Sequence, residues 1–524
     1  MPSRHYCKTF LGFIFFFVQT ASAAITTAPI GEPCSEMFNF QGVVYVCADH
    51  PTLGKEVHII NGDRLGTTVL LDIDSGPGDS NPRAFFSIGE TLYFFAENSV
   101  QGESLWKTDG TAEGTQPVRS FSQDFNVEPR SIVAKINDLH FVFAFDLSGG
   151  GLSLLQTDGT FAGTVKIDAP ISQGVESSLA NFASTTYAVL GNTLYLITVS
   201  NLYRVNSDAT SSLVYEGLPY NPDTGPQTRL TEDTLNGQLV IRAVNEIWLS
   251  DGTPSGTQQF RGSDEQRIFH YGITNDRFVY VEDFSTLRAT DGQSDIELLS
   301  LENDEIFISN TLAQPIIEGR VIFQENFSEN PKLFFTGGSL NTTTQSTGTL
   351  ENGYAIFDGK LYASDKAEFL NDNPVTIVQI DPITGQQQLG IRNVTQLSII
   401  SDVQQGVAYT ACIDECTNDQ LDDRLGLWLL QANGSTTLLA ALGNFDDRAV
   451  SRSHQEGQRS YYVVREGRDV TSPYVGIWHS DGTSAQTYQL SYQFDDGVTP
   501  VEPEKTGLAP SILMLLLDDE GTAK

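Results

Sequence analysis

The 524-residue chain carries 66 Asp and Glu against 30 Lys and Arg, a formal net charge of −36, and so lacks the clustered cations that binding nucleic acid or an anionic membrane requires. With charged residues at only 18%, 46 glycines and many Thr, Ser, Phe and Tyr, the composition excludes a helical bundle and points to short strands and tight turns. Length alone would allow about two to four domains.

In chain order, Arg4 and Lys8 precede an apolar run from Phe10 to Val18, and the small triplet Ala21-Ser22-Ala23 follows. This is the three-part pattern of a secretory signal peptide, expected over residues 1–23, with the mature repeat region over 24–524. A membrane span needs roughly 18–20 apolar residues, about twice this run. Cys7 lies before the apolar run and is not placed as a lipid-attachment cysteine. Cleavage would remove two basic residues and no acidic one, leaving a charge of −38. The chain is therefore expected to be exported, to the periplasm, the cell surface or the medium. Its acidity suits solubility, a saline medium or divalent cations.

Four cysteines remain after cleavage. Cys34 and Cys47 flank a predicted turn at Gln41-Gly42 and would face each other across a hairpin. A disulfide there closes a loop of about 14 residues and contributes roughly 3 kcal/mol in the chain-entropy model. Cys412 and Cys416 bracket a short acidic loop without a nearby histidine, and export favours a second disulfide over a metal site.

The central signal is an internal repeat. Leu105-Trp106-Lys107-Thr108-Asp109-Gly110-Thr111 with Gly114-Thr115 returns as Leu154 to Thr160 with Gly163-Thr164, and as Ile247 to Thr253 with Gly256-Thr257. Further copies include Asp291-Gly292 and Asp481-Gly482, with weaker ones between them. Each copy follows a turn and a strand such as Gly89-Glu90-Thr91-Leu92-Tyr93-Phe94 or Asp358-Gly359-Lys360-Leu361-Tyr362. Ten such turns between residues 42 and 457 give a mean period of about 46 residues. On these phrases, best kept at Ser104 to Thr111 and Glu246 to Thr253, the chain resembles bacterial secreted proteins with tandem ELWxxDGT repeats. The resemblance spans nearly all of the mature region and implies an exported, β-propeller-like architecture. It brings no catalytic residues.

Each unit offers about four short strands, the content of one propeller blade. The expected fold is all-β: one large propeller of about ten blades, because no Pro-, Gly- or Ser-rich linker interrupts the period. Two smaller propellers remain the alternative ring count; a β-helix or a string of sandwich domains fits the period less well. The Asp-Gly-Thr step reads as a turn, since Gly accepts positive φ and Asp can bond its own backbone two residues on. Asp109, Gly110, Asp158, Gly159, Asp251, Gly252, Asp291, Gly292, Asp481 and Gly482 are therefore assigned to turns, and the four tryptophans to the core. In an up-down blade the first and third turns share one face. Those turns are short, whereas the second turns and inter-blade links on the other face are expected to be long and variable, so a ligand site belongs there. A final buried strand is expected at Ile512 to Leu517.

Catalytic chemistry is not legible. The histidines are scattered, and no metalloprotease spacing, nucleophile elbow or phosphate loop occurs. Asp414, Asn418, Asp419, Asp422 and Asp423, beside Cys412 and Cys416, form the densest oxygen cluster and the candidate Ca²⁺ site; Asp72, Asp74 and Asp79 form a looser one. The functional expectation is an exported non-enzymatic binding or surface-interaction protein, its partner an extracellular protein or glycan. The alternative is a propeller hydrolase or lyase acting on extracellular polysaccharide, which would need paired carboxylates in a central funnel.

Overall fold

The computed structural model describes residues 26–494 except 30–32, 61–66, 148–151, 168–185, 199, 207, 220–227, 244, 263–267, 302–305, 307–314, 326–330, 351–352, 366–374, 395–396, 404, 413–423, 445–448, 457 and 466–473. It is a ten-bladed β-propeller, each blade a four-stranded antiparallel sheet in sequential order. Blade 2 is typical, with strands Arg83–Ile88, Thr91–Ala96, Ser104–Thr108 and Gln116–Ser120. Blade 5 repeats it at Arg229–Leu235, Gln238–Ala243, Glu246–Ser250 and Gln258–Gly262. The first strands of successive blades lie against one another, so they surround the axis and the fourth strands form the rim.

Ten apolar clusters fill the ten seams between blades. Each unites strands of one blade with those of the next, as Tyr45, Val57 and Ile59 of blade 1 pack on Leu92, Phe94 and Trp106 of blade 2. This explains the near-continuous apolar second strands: Thr91–Ala96 and Gln238–Ala243 are buried after their first residue because both sheet faces are covered. The tenth cluster joins Tyr461, Val463, Ile477 and Leu490 of blade 10 to Val44, Val46, Ala48 and Ile60 of blade 1. One ring therefore closes on itself, and the two-ring alternative is excluded. Closure is reinforced because Ser491–Phe494 adds to the rim of blade 1, parallel to Thr67–Leu71, and Thr26–Pro29 pairs outside it.

The first turns are two-residue loops with positive φ at both positions where the sequence allows it: Gln41 (53°) and Gly42 (79°), Asn236 (51°) and Gly237 (74°), Asp358 (50°) and Gly359 (65°). That conformation matches the strand twist of a tight hairpin. The second turns need a correction. Seven residues lie between Ala96 and Ser104, ten between Ser364 and Val375 and eleven between Cys412 and Arg424, but only two between Thr198 and Asn201 and between Ala243 and Glu246. Blade 6 turns between Glu282 and Thr286 by placing Asp283 and Phe284 at φ of 50° and 62°. The variable face is thus elaborated in some blades and trimmed in others.

Cys34 and Cys47 are joined, as the hairpin predicted. Near the turn Phe40 faces Val43 and Phe38 faces Tyr45, a register that would set residue 36 opposite Cys47. Instead Pro33 pairs with Ala48, because five residues on the first strand match three on the second, and this bulge brings Cys34 into place. Cys416 and the 512–517 segment lie outside the described residues.

Candidate functional site

The Asp-Gly-Thr turns are the most repeated polar feature, and their geometry accounts for each conserved position within the chain. In blade 2, Asp109 Oδ1 accepts from the backbone and hydroxyl of Thr111, at 3.0 and 2.6 Å. A hydroxyl relay then crosses the turn: Gly110 N donates to Thr108 Oγ1, Thr108 Oγ1 lies 2.7 Å from Thr115 Oγ1, and the Thr115 hydroxyl donates to Thr111 O. The same relay joins Thr157, Thr164 and Thr160, then Ser250, Thr257 and Thr253, then Ser480, Thr487 and Thr483. Asp158, Asp251 and Asp481 repeat the Asp–Thr clasp. In blade 6, Asp291 instead accepts from Gln293 N, Ser294 N and Ser294 Oγ.

The glycines have a second task. Gly159 and Gly252 hold φ of 83° and 85°, and a Cβ on either would come within 2.4 and 2.2 Å of the hydroxyl of Tyr93 and Tyr195, in the preceding blade. Gly110 meets Tyr45 in the same way. The two repeated phrases are therefore coupled across the seam: the Leu-Tyr strand of one unit receives the Asp-Gly turn of the next. Burial raises all three phenols, Tyr45 to about 12, and the facing Asp adds to the effect. Trp106 and Trp248 pack on the preceding blade as well, with Nε1 bonded to Ala96 O and to Glu246 Oε2.

On the opposite face, blades 1 to 3 present the best-defined polar site. Asn81 and Ala84, at φ of 46° and 50°, bracket Arg83 at the start of the innermost strand of blade 2, where the register shifts before Phe86. The arginine is thereby aimed along the face. Its Nη1 donates to Glu103 Oε1 at 2.8 Å and to Asn81 O, its Nη2 donates to Pro129 O at 3.0 Å, and Glu128 stands 3.9 Å away. Glu103 is 6% exposed, and its Oε2 is buried without a hydrogen-bond partner among the described residues. Burial pushes its carboxyl up to about 7, Arg83 pulls it down, and Glu97 and Glu128 push it up again. Nearby, the fully buried Glu56 takes Ser80 Oγ at 2.5 Å and the Ile73 and Asp74 amides, and burial likewise raises it to about 7.

Glu56 thus pins the inter-blade link holding Asp72, Asp74 and Asp79, which the sequence offered as a loose oxygen cluster. There Asp72 caps Gly76 N, Asp74 accepts from Ser99 N and Asp79 accepts from Lys55 N. Among the described residues no group of three or more His, Cys, Asp or Glu is arranged to hold a metal. The primary Ca²⁺ candidates, Asp414, Asn418, Asp419, Asp422 and Asp423, lie outside the described residues, as does Cys416; Cys412 ends the second strand of blade 9.

The densest ionic cluster was not expected from the sequence. It lies in the seam between blades 5 and 6, where Arg261 and Arg288 meet Glu282 and Asp295 at 2.8 to 3.8 Å, and Tyr280 donates to Asp295 at 3.0 Å. Two cations face two carboxylates and each is engaged, which suits a clamp between blades. The signal was present: Arg288 occupies the position that Trp106 and Trp248 hold in their blades.

No protein-family model matches the sequence, and no curated protein matches it. Among solved structures the chain is similar to BamB from Moraxella catarrhalis, at 9% identity and a TM-score of 0.33, covering 72% of this chain and 89% of that one. It is also similar to the GH74 enzyme of Niastella koreensis, at 10% identity and a TM-score of 0.27, covering 89% and 93%. A post-proline cleaving enzyme from Rickettsia typhi gives 9%, 0.34, 74% and 57%. At these values none lends this chain an activity, and the propeller rests on its own sheet topology. No helix among the described residues is long and apolar enough to cross a membrane.

Proposed function

We propose that the chain is an exported, non-enzymatic recognition scaffold of the ELWxxDGT-repeat type, binding an extracellular protein or glycan through the face built from its second turns and inter-blade links. The observation that carries this reading is the asymmetry of the two faces. On one, the repeated turns bond to themselves and to the preceding blade; on the other, turn length changes from blade to blade on a constant scaffold. Binding residues concentrate on such loops. The Cys34–Cys47 disulfide suits an oxidising compartment. Bound Ca²⁺ at Asp414, Asn418, Asp419, Asp422 and Asp423 belongs to the same proposal.

The polysaccharide-acting alternative has one point in its favour, the raised carboxyl of Glu103, since an acid catalyst works best with a pKa near the working pH. One experiment separates the readings. The purified chain and a variant whose blade 2 loop, residues 97–103, is replaced by Asn-Gly are tested on immobilised extracellular polysaccharides and matrix proteins, with reducing-end release measured in parallel. The proposal expects retention by at least one surface, weakened in the variant at a temperature where both chains are folded, and no release. Release that disappears in Glu103→Gln would establish the enzyme, and equal retention of chain and variant would move the site away from this loop.

A further inference from the structure

Histidines gather where the ring closes. Of the five whose side chains are described, His50 and His58 belong to blade 1 and His454 and His479 to blade 10; only His140 lies elsewhere. The blade 10 pair forms part of one row across the sheet. His454 pairs with Tyr461, Tyr461 with His479, and His479 with Tyr488, with ring centroids 6.3, 5.5 and 4.9 Å apart. Tyr461 and Tyr488 belong to the cluster that meets Val44, Val46, Ala48 and Ile60 of blade 1, so the row faces that seam. In blade 1, His58 is directly opposite Val46, on the same face, and its ring stacks on that of His50 at 6.1 Å.

None of these rings is placed to carry a second proton at no cost. His479 is 3% exposed and its Nδ1 is 3.1 Å from Gln486 O, so Nδ1 carries the hydrogen and Nε2 is the bare nitrogen. That Nε2, like His454 Nε2, is buried with no hydrogen-bond partner among the described residues. His58 is fully buried, with Nδ1 at 2.9 Å from Glu56 O. The charged neighbours do not offset the burial. Arg459 opposes a charge on His479 and Asp481 favours one; Glu36 favours one on His454; Asp49 and Asp72 favour one on His50; His50 itself opposes one on His58. Burial dominates each, and all four histidines are held below their ordinary range, His58 at about 3.

We propose that the blade 10–blade 1 seam is a proton-sensitive latch: the ring is closed while these histidines are neutral and opens at this seam, before any other, as they take up protons in mild acid. Every other pair of neighbouring blades is joined by the chain as it passes from one sheet into the next. Here the chain leaves blade 10 only to add Ser491–Phe494 to the rim of blade 1, and among the described residues the apolar cluster and the histidine row lie along the rest of the seam. A base held below its free value binds fewer protons closed than open. Its contribution to closure is therefore complete above the free histidine value of about 6.5 and is lost as the pH falls below it. Glu56 works the other way: its raised carboxyl takes up a proton in the closed state, which favours closure as the pH falls from about 7. One carboxyl opposes four imidazoles.

Hydrogen exchange of the intact chain tests this without any mutation. As the pH falls below about 6.5, after correction for intrinsic exchange, amides of Thr67–Leu71 and Ser491–Phe494, whose pairing ties the chain leaving blade 10 to the rim of blade 1, should lose protection by about tenfold per pH unit for each proton taken up on opening. Those of Gln238–Ala243, in the seam of blades 4 and 5, should keep theirs. Equal loss in both regions, or none at the closure seam, would overturn the latch. The pair His454→Asn and His479→Asn, which cannot charge, should reduce the pH dependence at the seam. If that variant does not fold, His58→Gln serves the same purpose. Unchanged pH dependence in the folded variant would also overturn it.

Discussion

The seams on either side of blade 5 use one sheet position in opposite ways. Between blades 4 and 5, Trp248 packs into an apolar cluster with Leu239 and Ile241, its ring 5.5 Å from Tyr215, and Nε1 bonds Glu246. Between blades 5 and 6 the equivalent residue is Arg288, whose guanidinium lies in a network with Glu282, Asp295 and Arg261. Both residues are long and flat; Trp248 packs on the preceding blade directly, whereas Arg288 pairs within blade 6 and is joined to blade 5 through Arg261, which shares its carboxylates. The position demands reach and complete pairing rather than hydrophobicity, which is how a degraded repeat can keep its place in the ring.

The largest effect should follow from cutting the ionic seam. Arg288→Met leaves Glu282 and Asp295, side chains 8% and 11% exposed, with Arg261 alone. Removing one partner of a buried pair costs about 3–5 kcal/mol. Trp248→Met leaves a cavity and removes one hydrogen bond from the half-buried Glu246, and should cost less, about 2 kcal/mol. Adding Glu282→Gln to Arg288→Met should recover part of the loss, whereas no polar substitution should rescue Trp248→Met. Urea unfolding of the three variants beside the parent chain decides the matter; if Arg288→Met is the milder change, the ionic seam is interchangeable with an apolar one.

The comparison shows what the sequence disclosed. Strand period, turn positions and single ring were legible because tight turns fix their residues: Asn236-Gly237 can hardly be anything else at those φ values. The coupling of Tyr195 to Gly252 was visible only as two phrases that always recur together, since adjacency across a seam is set by tertiary packing. The bulge that aligns Cys34 with Cys47 was invisible, and the disulfide was anticipated from a register that the strand adopts only by shifting. The ionic cluster and the polar site at Arg83 and Glu103 were missed for a shared reason. Their partners come from different strands or blades, as Arg261 and Glu282 do, so the repeat marks Arg288 as out of place but does not disclose the groups it meets.

A smaller effect tests the seam contact on the trimmed face. Gly252→Ala must hold alanine in the left-handed region, at about 1–2 kcal/mol, and presses a Cβ on the Tyr195 hydroxyl, adding about 1–3 kcal/mol. Gly237→Ala carries the conformational cost alone, because its Cβ would meet open space. Placing Gly252→Ala in a Tyr195→Phe background should return about 0.5–1 kcal/mol of coupling, measured as a double-mutant cycle. Strict additivity would mean that the turn and the tyrosine are neighbours without being coupled.

The smallest effect concerns the turn aspartates, where blade 6 again departs from blade 5. Asp251 receives two hydrogen bonds, both from Thr253, and these lower its carboxyl. Asp291, in a shorter turn that lacks the Gly-Thr pair, receives two backbone amides and the Ser294 hydroxyl, with Arg277 at 3.4 Å; those bonds bring it down to about 2. A carboxyl held below its free value lends stability above that value and withdraws it as the pH falls towards the folded one. Asp251 is exposed and Asp291 only half-buried, so the energy at stake is small, and carboxyl chemical shifts are the better readout. Asp291 should stay ionised to about pH 2, below Asp251, and Asp291→Ala should loosen its turn more than Asp251→Ala. Coincident titration of the two would mean that blade 6 has not replaced its missing hydroxyl relay with a stronger carboxylate clasp.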